Sequence, residues 1–260
     1  MVIFKNIFFD SLRNSYSESQ VFNLSFDRNV TRLAEYFITV NLCKDLYKWN
    51  SENKHIYKIQ AEKSTSGLFR NCFDIYCYPD NPDIFSQAVF SRSTAEYSDS
   101  LKKIRNGRVD IALTTSKNGY DDIAEHIIEV KGINPRISDL KRDFDRIQCY
   151  LNAEIPSFKN SFKSGYIVFI KHINHIKKIH SKSALDSLKS KYLNNVLEMC
   201  AIFCNPQNTF EIFDQSIDTA DFESIHKSEG DDYNQLAYET FTAFSVIIKI
   251  CRNYETDNKI

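Results

Sequence analysis

Arg108-Val109-Asp110-Ile111-Ala112-Leu113, followed by Glu129-Val130-Lys131, is the part of this sequence that decides its fold. Both segments are short and rich in β-branched residues. Turn-forming composition bounds them, with the Ser-rich, basic 98–107 before and Ser-Lys-Asn-Gly-Tyr-Asp-Asp 116–122 between. They read as two strands, 108–114 and 125–131, joined by a hairpin. Side chains alternate along a strand, so Glu129 and Lys131 share a face with Glu125 and Ile127, while His126, Ile128 and Val130 take the other. On the partner strand Asp110 goes with Arg108 and Ala112, and Val109, Ile111 and Leu113 face the opposite core. Pairing through a 114–124 hairpin then brings Asp110, Glu129 and Lys131 together at one end of a sheet.

Two carboxylates on neighbouring strands suit Mg²⁺, a hard cation that takes oxygen ligands and keeps waters able to act as nucleophiles. An ammonium beside them can orient or deprotonate the attacking water and offset charge on a pentavalent phosphate. The pattern acid-x-Lys also occurs at Glu52-Asn-Lys54, Asp139-Leu-Lys141 and Asp257-Asn-Lys259. Only Glu129-Val-Lys131 lies in an apolar strand with an Asp-bearing strand a hairpin upstream. A structural ion pair is the competing reading, but charges buried without a task cost several kcal/mol.

Working outward, Asn29 caps a helix through about Trp49, with apolar residues at spacings of three and four (Leu33, Phe37, Val40; Ala34, Ile38, Leu42, Leu46). Residues 55–63 read as a strand or a second helix, 64–83 as loop, and 85–97 as the first core strand. After Asn134-Pro135 a stripe of Ile137, Leu140, Phe144, Ile147 and Leu151 predicts a helix. Lys141 and Gln148 flank that stripe on one side, and Arg142, Asp143 and Arg146 read as exposed intrahelix pairs. Gly165–Lys171 has the length of a buried strand. Helices are expected over 183–203 and 233–253, around a strand at 209–213.

The composition is that of an ordinary globular chain: 260 residues, 42% hydrophobic, 26% charged, formal charge −1, with only 6 Gly and 5 Pro. It excludes collagen-like, coiled-coil and wholly disordered classes. No apolar run reaches a membrane span, and the start, Met1–Phe9, is broken by Lys5 and Asn6, unlike a secretory leader. The 7 Cys include no C-x-x-C pair, which argues for reduced thiols and a cytoplasmic location. Charge is uneven: eight Lys against Asp186 over 159–191, and ten acids against Lys227 over 198–239. That asymmetry suggests polyanion contact on one side, or two solvated faces of opposite sign. His172 and His175 lack a third ligand nearby for zinc and read as basic surface.

The order of these elements resembles the PD-(D/E)XK nuclease superfamily, restriction-endonuclease-like proteins with a shared αβββαβ core. The similarity covers about residues 29–171. It implies an α/β fold with a central mixed sheet flanked by helices. Residues 1–182 would form the nuclease core with an N-terminal extension, and 183–260 a C-terminal helical addition on the same domain. It also implies that Asp110 and Glu129 hold Mg²⁺, with Mn²⁺ able to substitute, that the Val130 carbonyl is a further ligand, and that Lys131 is the catalytic lysine. Val109 stands where the superfamily's motif has Pro, and the literal Pro79-Asp80 and Pro82-Asp83 read as turns. An auxiliary acid is expected from Glu35 or Glu96, with Glu35 preferred, and Gln148 is expected to touch substrate phosphate or orient the water. The implied activity is phosphodiester hydrolysis to a 5′-phosphate and a 3′-hydroxyl. DNA is favoured over RNA, a homodimer is in keeping with the superfamily, and restriction, repair or antiviral defence are the associated roles. Lys102, Lys103, Arg105, Arg108 and the 159–191 lysines would contact phosphates. The alternatives are a non-catalytic nucleic-acid-binding member and a protein-interaction module.

Overall fold

Strands whose both faces are covered must be apolar along their whole length, and this chain has several. A computed structural model describes residues 2–21, 31–74, 107–117, 121–154, 159–174, 182–217 and 241–253. In chain order the elements are α1 (Val2–Val21), α2 (Thr31–Glu52), β1 (Lys58–Ser64), α3 (Thr65–Asn71), β2 (Phe73–Asp74), β3 (Arg108–Lys117) and β4 (Asp121–Ile133). They continue with α4 (Ile137–Leu151), β5 (Lys159–Asn160), β6 (Ser164–Asn174), α5 (Lys182–Phe203), β7 (Asn208–Ile217) and β8 (Phe241–Arg252).

Six strands form one mixed sheet in the order β1-β3-β4-β6-β8-β7, and β2 and β5 pair separately. Only β4 and β6 run parallel; the other neighbours are antiparallel. A parallel pair needs a crossover, and α4 supplies it. The fold is therefore α/β with a central mixed sheet between helical layers. On one face Phe8, Leu12, Tyr16, Ile38, Leu42 and Leu46 of α1 and α2 cover Ile111, Ile128, Val130 and Val168. On the other, Leu140, Phe144 and Ile147 of α4, with Val196 and Cys200 of α5, cover Ala112, Ile127, Ile167 and Val246.

The α4 stripe is buried as its spacing predicts, with Leu140, Phe144, Ile147 and Leu151 fully enclosed. Gly165 of β6 is what lets α4 come this close. A Cβ there would fall well inside contact distance of the Ile147 side chain, so a larger residue forces Ile147 out of its place between α4 and β6. The last turn of α4 is closed from outside the helix. Asn160 Nδ2 donates to the carbonyls of Tyr150 (2.8 Å) and Ala153 (2.9 Å), and Arg252 donates through Nη2 to that of Leu151 (2.6 Å), placing a cation at the helix's negative end.

Four expectations are corrected. The C-terminal segment is not a helical addition: after α5 it supplies β7 and β8, and β8 lies inside the sheet between β6 and β7. In place of the helix expected over 233–253, the described residues 241–252 form the strand β8, because Val246, Ile247, Ile248 and Ile250 are β-branched and buried on both faces, which favours an extended chain. Within the expected 64–83 loop, residues 65–71 form the helix α3. The alternation assumed for β3 fails at Asp110: Val109 packs with Ala112 on the α4 side, while Ile111 and Leu113 pack against α1 and α2. The strand on the outer side of β3 is β1, which begins in the 55–63 segment and runs to Ser64; the 85–97 strand and the Pro79-Asp80 and Pro82-Asp83 turns lie outside the described residues.

At the far end of β4, His126 is buried against Phe4, Tyr57 and Tyr166. Its Nδ1 shares a hydrogen bond of 2.8 Å with Ser164 Oγ. Burial pushes its pKa down to about 4. The folded chain therefore keeps this imidazole neutral where the unfolded chain protonates it, so its contribution is intact above about 6.5 and is lost as pH falls toward 4. In His126→Gln, the fall in melting temperature between pH 6.5 and 4.5 will be shallower than in wild type, by an amount equivalent to roughly 3 kcal/mol at most. Parallel pH profiles for the two proteins would contradict this.

Candidate functional site

The ladder between the central strands has a gap where the chemistry-bearing residues lie. Ladder pairing between β3 and β4 ends at Ile111 and Ile128. Beyond it, the Val130 N–H donates to the Asp110 carboxylate at 2.6 Å, where strand pairing would offer a main-chain carbonyl. On its other edge β4 slips register against β6 between Val130 and Ile133. Glu62 of β1, opposite Asp110, takes a left-handed backbone (φ 54), and so does Asn134 just after β4 (φ 57). Such conformations cost about 1 kcal/mol or more in non-glycine residues and gather at functional sites. A residue's N–H and C=O lie on the same strand edge, so the Val130 carbonyl faces the gap too.

Asp110, Glu129 and Lys131, the three residues the sequence singles out, come together here, and Glu35 of α2 is close enough to feel Lys131, Asp110 and Asp143 electrostatically. Glu129 is 1% exposed. Burial raises its pKa well above the ordinary carboxylate range; Arg146 opposes the rise and Asp110 adds to it. Burial likewise raises Asp110, against the Val130 N–H and Lys131, and raises Glu35, against Lys131 and the Gly132 N–H. Burial alone would lower Lys131, but Asp143, and behind it Glu35 and Asp110, hold its ammonium above the ordinary value.

The remaining members come from α4. Lys131 Nζ lies 2.9 Å from Asp143 Oδ2, and Arg146 Nη2 lies 2.9 Å from Glu129 Oε2 and 2.7 Å from Asp143 Oδ1. Arg146 Nη1 donates to the Arg108 carbonyl at 3.2 Å. Asp143 and Arg146 are thus not the exposed pair expected from spacing: Asp143 is 1% exposed and the Arg146 side chain 15%. Only Arg142 keeps the surface role, pairing with Asp139. The cluster holds four carboxylates, Glu35, Asp110, Glu129 and Asp143, against two cations, Lys131 and Arg146, a formal −2 when all are ionised. Glu129 Oε1 is buried without a hydrogen-bond partner.

Gln148 and Lys141 lie on the other flank of α4, away from the gap. Gln148 donates to the Phe203 carbonyl (3.0 Å) and accepts from the Asn205 N–H (2.6 Å), tying α4 to the end of α5. The Lys141 ammonium sits 3.7 Å above the Phe203 ring. Among the 159–191 lysines, Lys163 pairs with Glu125, Lys189 with Asp214, and Lys171 covers Tyr192. Part of the charge asymmetry is therefore internal pairing. His172 is buried, and its Nδ1 shares a hydrogen bond of 3.0 Å with the Tyr16 hydroxyl, so it belongs to the core and not to a basic surface. Glu96, Lys102, Lys103, Arg105 and His175 lie outside the described residues.

All donors in the gap are oxygens, which fits a hard divalent cation, and Glu129 Oε1 is an unused one. Among the described residues, no three acids, histidines or cysteines stand at distances that would already hold an ion. No described helix is long and apolar enough to cross a membrane. Comparison with protein-family models, curated proteins and solved structures finds no match to this chain.

Removing one partner of a buried ion pair strands the other, at a cost of about 3–5 kcal/mol, whereas a surface pair contributes about 0–1 kcal/mol. In chelator-treated protein, Arg146→Gln will lower the melting temperature several-fold more than Arg142→Gln. Equal, small losses would show that Arg146 is not buried against Glu129.

Proposed function

We propose that this chain is a divalent-metal-dependent nuclease that hydrolyses phosphodiester bonds. The observation that carries the reading is the fully buried Glu129 carboxylate, one oxygen unpartnered, beside Asp110 in a cluster whose four acids and two cations sum to −2 when all are ionised. One divalent cation would restore the balance with the ligand type it prefers. The element order supports the reading: a helix (α2), three antiparallel strands (β1, β3, β4), a crossover helix (α4) and a strand parallel to the third (β6).

In this reading Asp110, Glu129 and the Val130 carbonyl would hold Mg²⁺ or Mn²⁺, which would supply a polarised phosphoryl oxygen and an acidified water. Asp110 is fixed for that work by the Val130 N–H, so its free oxygen is presented without rotamer freedom. Lys131 is held charged by Asp143 and is a poor base; its part is to orient the water and counter negative charge on the pentavalent phosphate. Glu35 of α2 interacts with the same ammonium and would serve as the auxiliary acid. DNA as the favoured substrate, and restriction, repair or defence as the setting, follow from the superfamily resemblance.

A second reading, a nucleic-acid-binding member without catalysis, is favoured by two observations: Arg146 already pairs with Glu129, and no three ligands are assembled among the described residues. Incubation of plasmid DNA and of single-stranded RNA with Mn²⁺ separates the two. Wild type will cut at least one of them, and Lys131→Ala will cut roughly 10²–10³-fold more slowly with its melting temperature recorded alongside. Equal cutting by both proteins would remove Lys131 from the mechanism, and salt-sensitive binding without cutting by wild type would favour the second reading.

A further inference from the structure

The site already contains a cation, and it is covalently attached. Arg146 reaches from α4 across the mouth of the β3–β4 gap and is anchored at three points: Glu129 on β4, Asp143 on its own helix, and the Arg108 carbonyl on β3. We infer that Arg146 occupies the place of the divalent cation and must give up Glu129 before the ion can bind, so that the metal-free protein is held closed by its own guanidinium. This rests on the nuclease reading and adds a residue that sets when the site opens.

Three features point to a displaceable occupant and not a fixed strut. A guanidinium can meet a carboxylate with two parallel hydrogen bonds, the strongest form of the pair. Here that fork is not used: Arg146 contacts Glu129 through Nη2 alone, that same nitrogen is shared with Asp143, and both Arg146 Nε and Glu129 Oε1 are buried without a hydrogen-bond partner. Hydrogen-bonding capacity is therefore left unused on both sides of the contact. Second, Arg146 has somewhere to go. Asp143 and the Arg108 carbonyl hold it without Glu129, and its side chain lies at the edge of the buried cluster, so releasing one anchor costs less than extracting the whole group. Third, the charge count favours exchange. With all four acids ionised and Arg146 still held by Asp143, a divalent ion at Glu129 brings the cluster from −2 to neutral, and the guanidinium released from Glu129 stays at the rim, where it matches a phosphate.

The proposal predicts that removing the guanidinium strengthens metal binding. Mn²⁺ is titrated into wild type, Arg146→Gln, Arg146→Lys and Glu129→Gln, with binding read by calorimetry and by the Mn²⁺-induced rise in melting temperature at fixed pH. Arg146→Gln should bind Mn²⁺ at least 10-fold more tightly than wild type and show the larger metal-induced rise, although it melts lower without metal. Arg146→Lys keeps a charge but cannot span two acids; it should fall between the two, and it decides the matter if Arg146→Gln does not fold. Glu129→Gln should lose binding. Equal or weaker binding by both Arg146 variants, with binding still dependent on Glu129, would overturn the exchange and leave the metal reading standing. Absence of Mn²⁺ binding in wild type and both Arg146 variants would defeat the metal reading itself, and the exchange with it.

Discussion

The hydrogen bond from the Val130 N–H to the Asp110 carboxylate is the contact on which the site depends. Main-chain N–H groups inside a sheet are normally spent on neighbouring strands, because leaving one unpaired is costly. Here β3 and β4 stop pairing after Ile111 and Ile128, and a side chain satisfies the exposed donor. That substitution fixes Asp110 against β4 beside Glu129 and Lys131, which face α4. Register slips on the other edge of β4 and the left-handed Glu62 opposite Asp110 are the same disturbance seen from neighbouring strands.

What fills the opening is a poor choice for stability alone. Glu129 and Asp143 are both 1% exposed, and burying ionised groups costs several kcal/mol each unless the pairing is excellent. The pairing here is incomplete, with more acids than cations and an orphaned Glu129 oxygen. Apolar side chains would cover β4 at lower cost, as they do along the rest of the strand at Ile127, Ile128 and Val130. A cluster that breaks the local rule without a compensating gain in stability is where function is to be sought. The Arg146 bridge lowers that cost by setting a guanidinium against both Glu129 and Asp143.

The strand pair is readable in the sequence because apolar composition acts locally: Asp110, Glu129 and Lys131 fall on 108–114 and 125–131 whatever else the chain does, although simple alternation misplaces the faces of β3 at Asp110. The α4 stripe is readable for the same reason, since a spacing of three and four admits one buried face. Asp143 and Arg146 are not readable in this way. A helix with a central apolar stripe has two flanks, Lys141 and Gln148 on one and Asp143 and Arg146 on the other, and only the placement of the β4–α4–β6 crossover decides which flank meets the end of β4. The signal available was that Asp143, three residues after Leu140 and beside Phe144, widens the buried face by one position. At 241–252 the apolar run had the wrong length for a clear choice between helix and strand. The β-branched content of Val246–Ile250 was the better guide.

The most direct measurement is the anomalous scattering of Mn²⁺ in a crystal of the protein grown with the ion. The account predicts one strong peak bounded by Asp110 and Glu129, on the side of the Val130 carbonyl, with Arg146 no longer within hydrogen-bonding distance of Glu129. Density showing Arg146 still seated on Glu129 and no peak in the gap, at Mn²⁺ concentrations that saturate binding in solution, would contradict it.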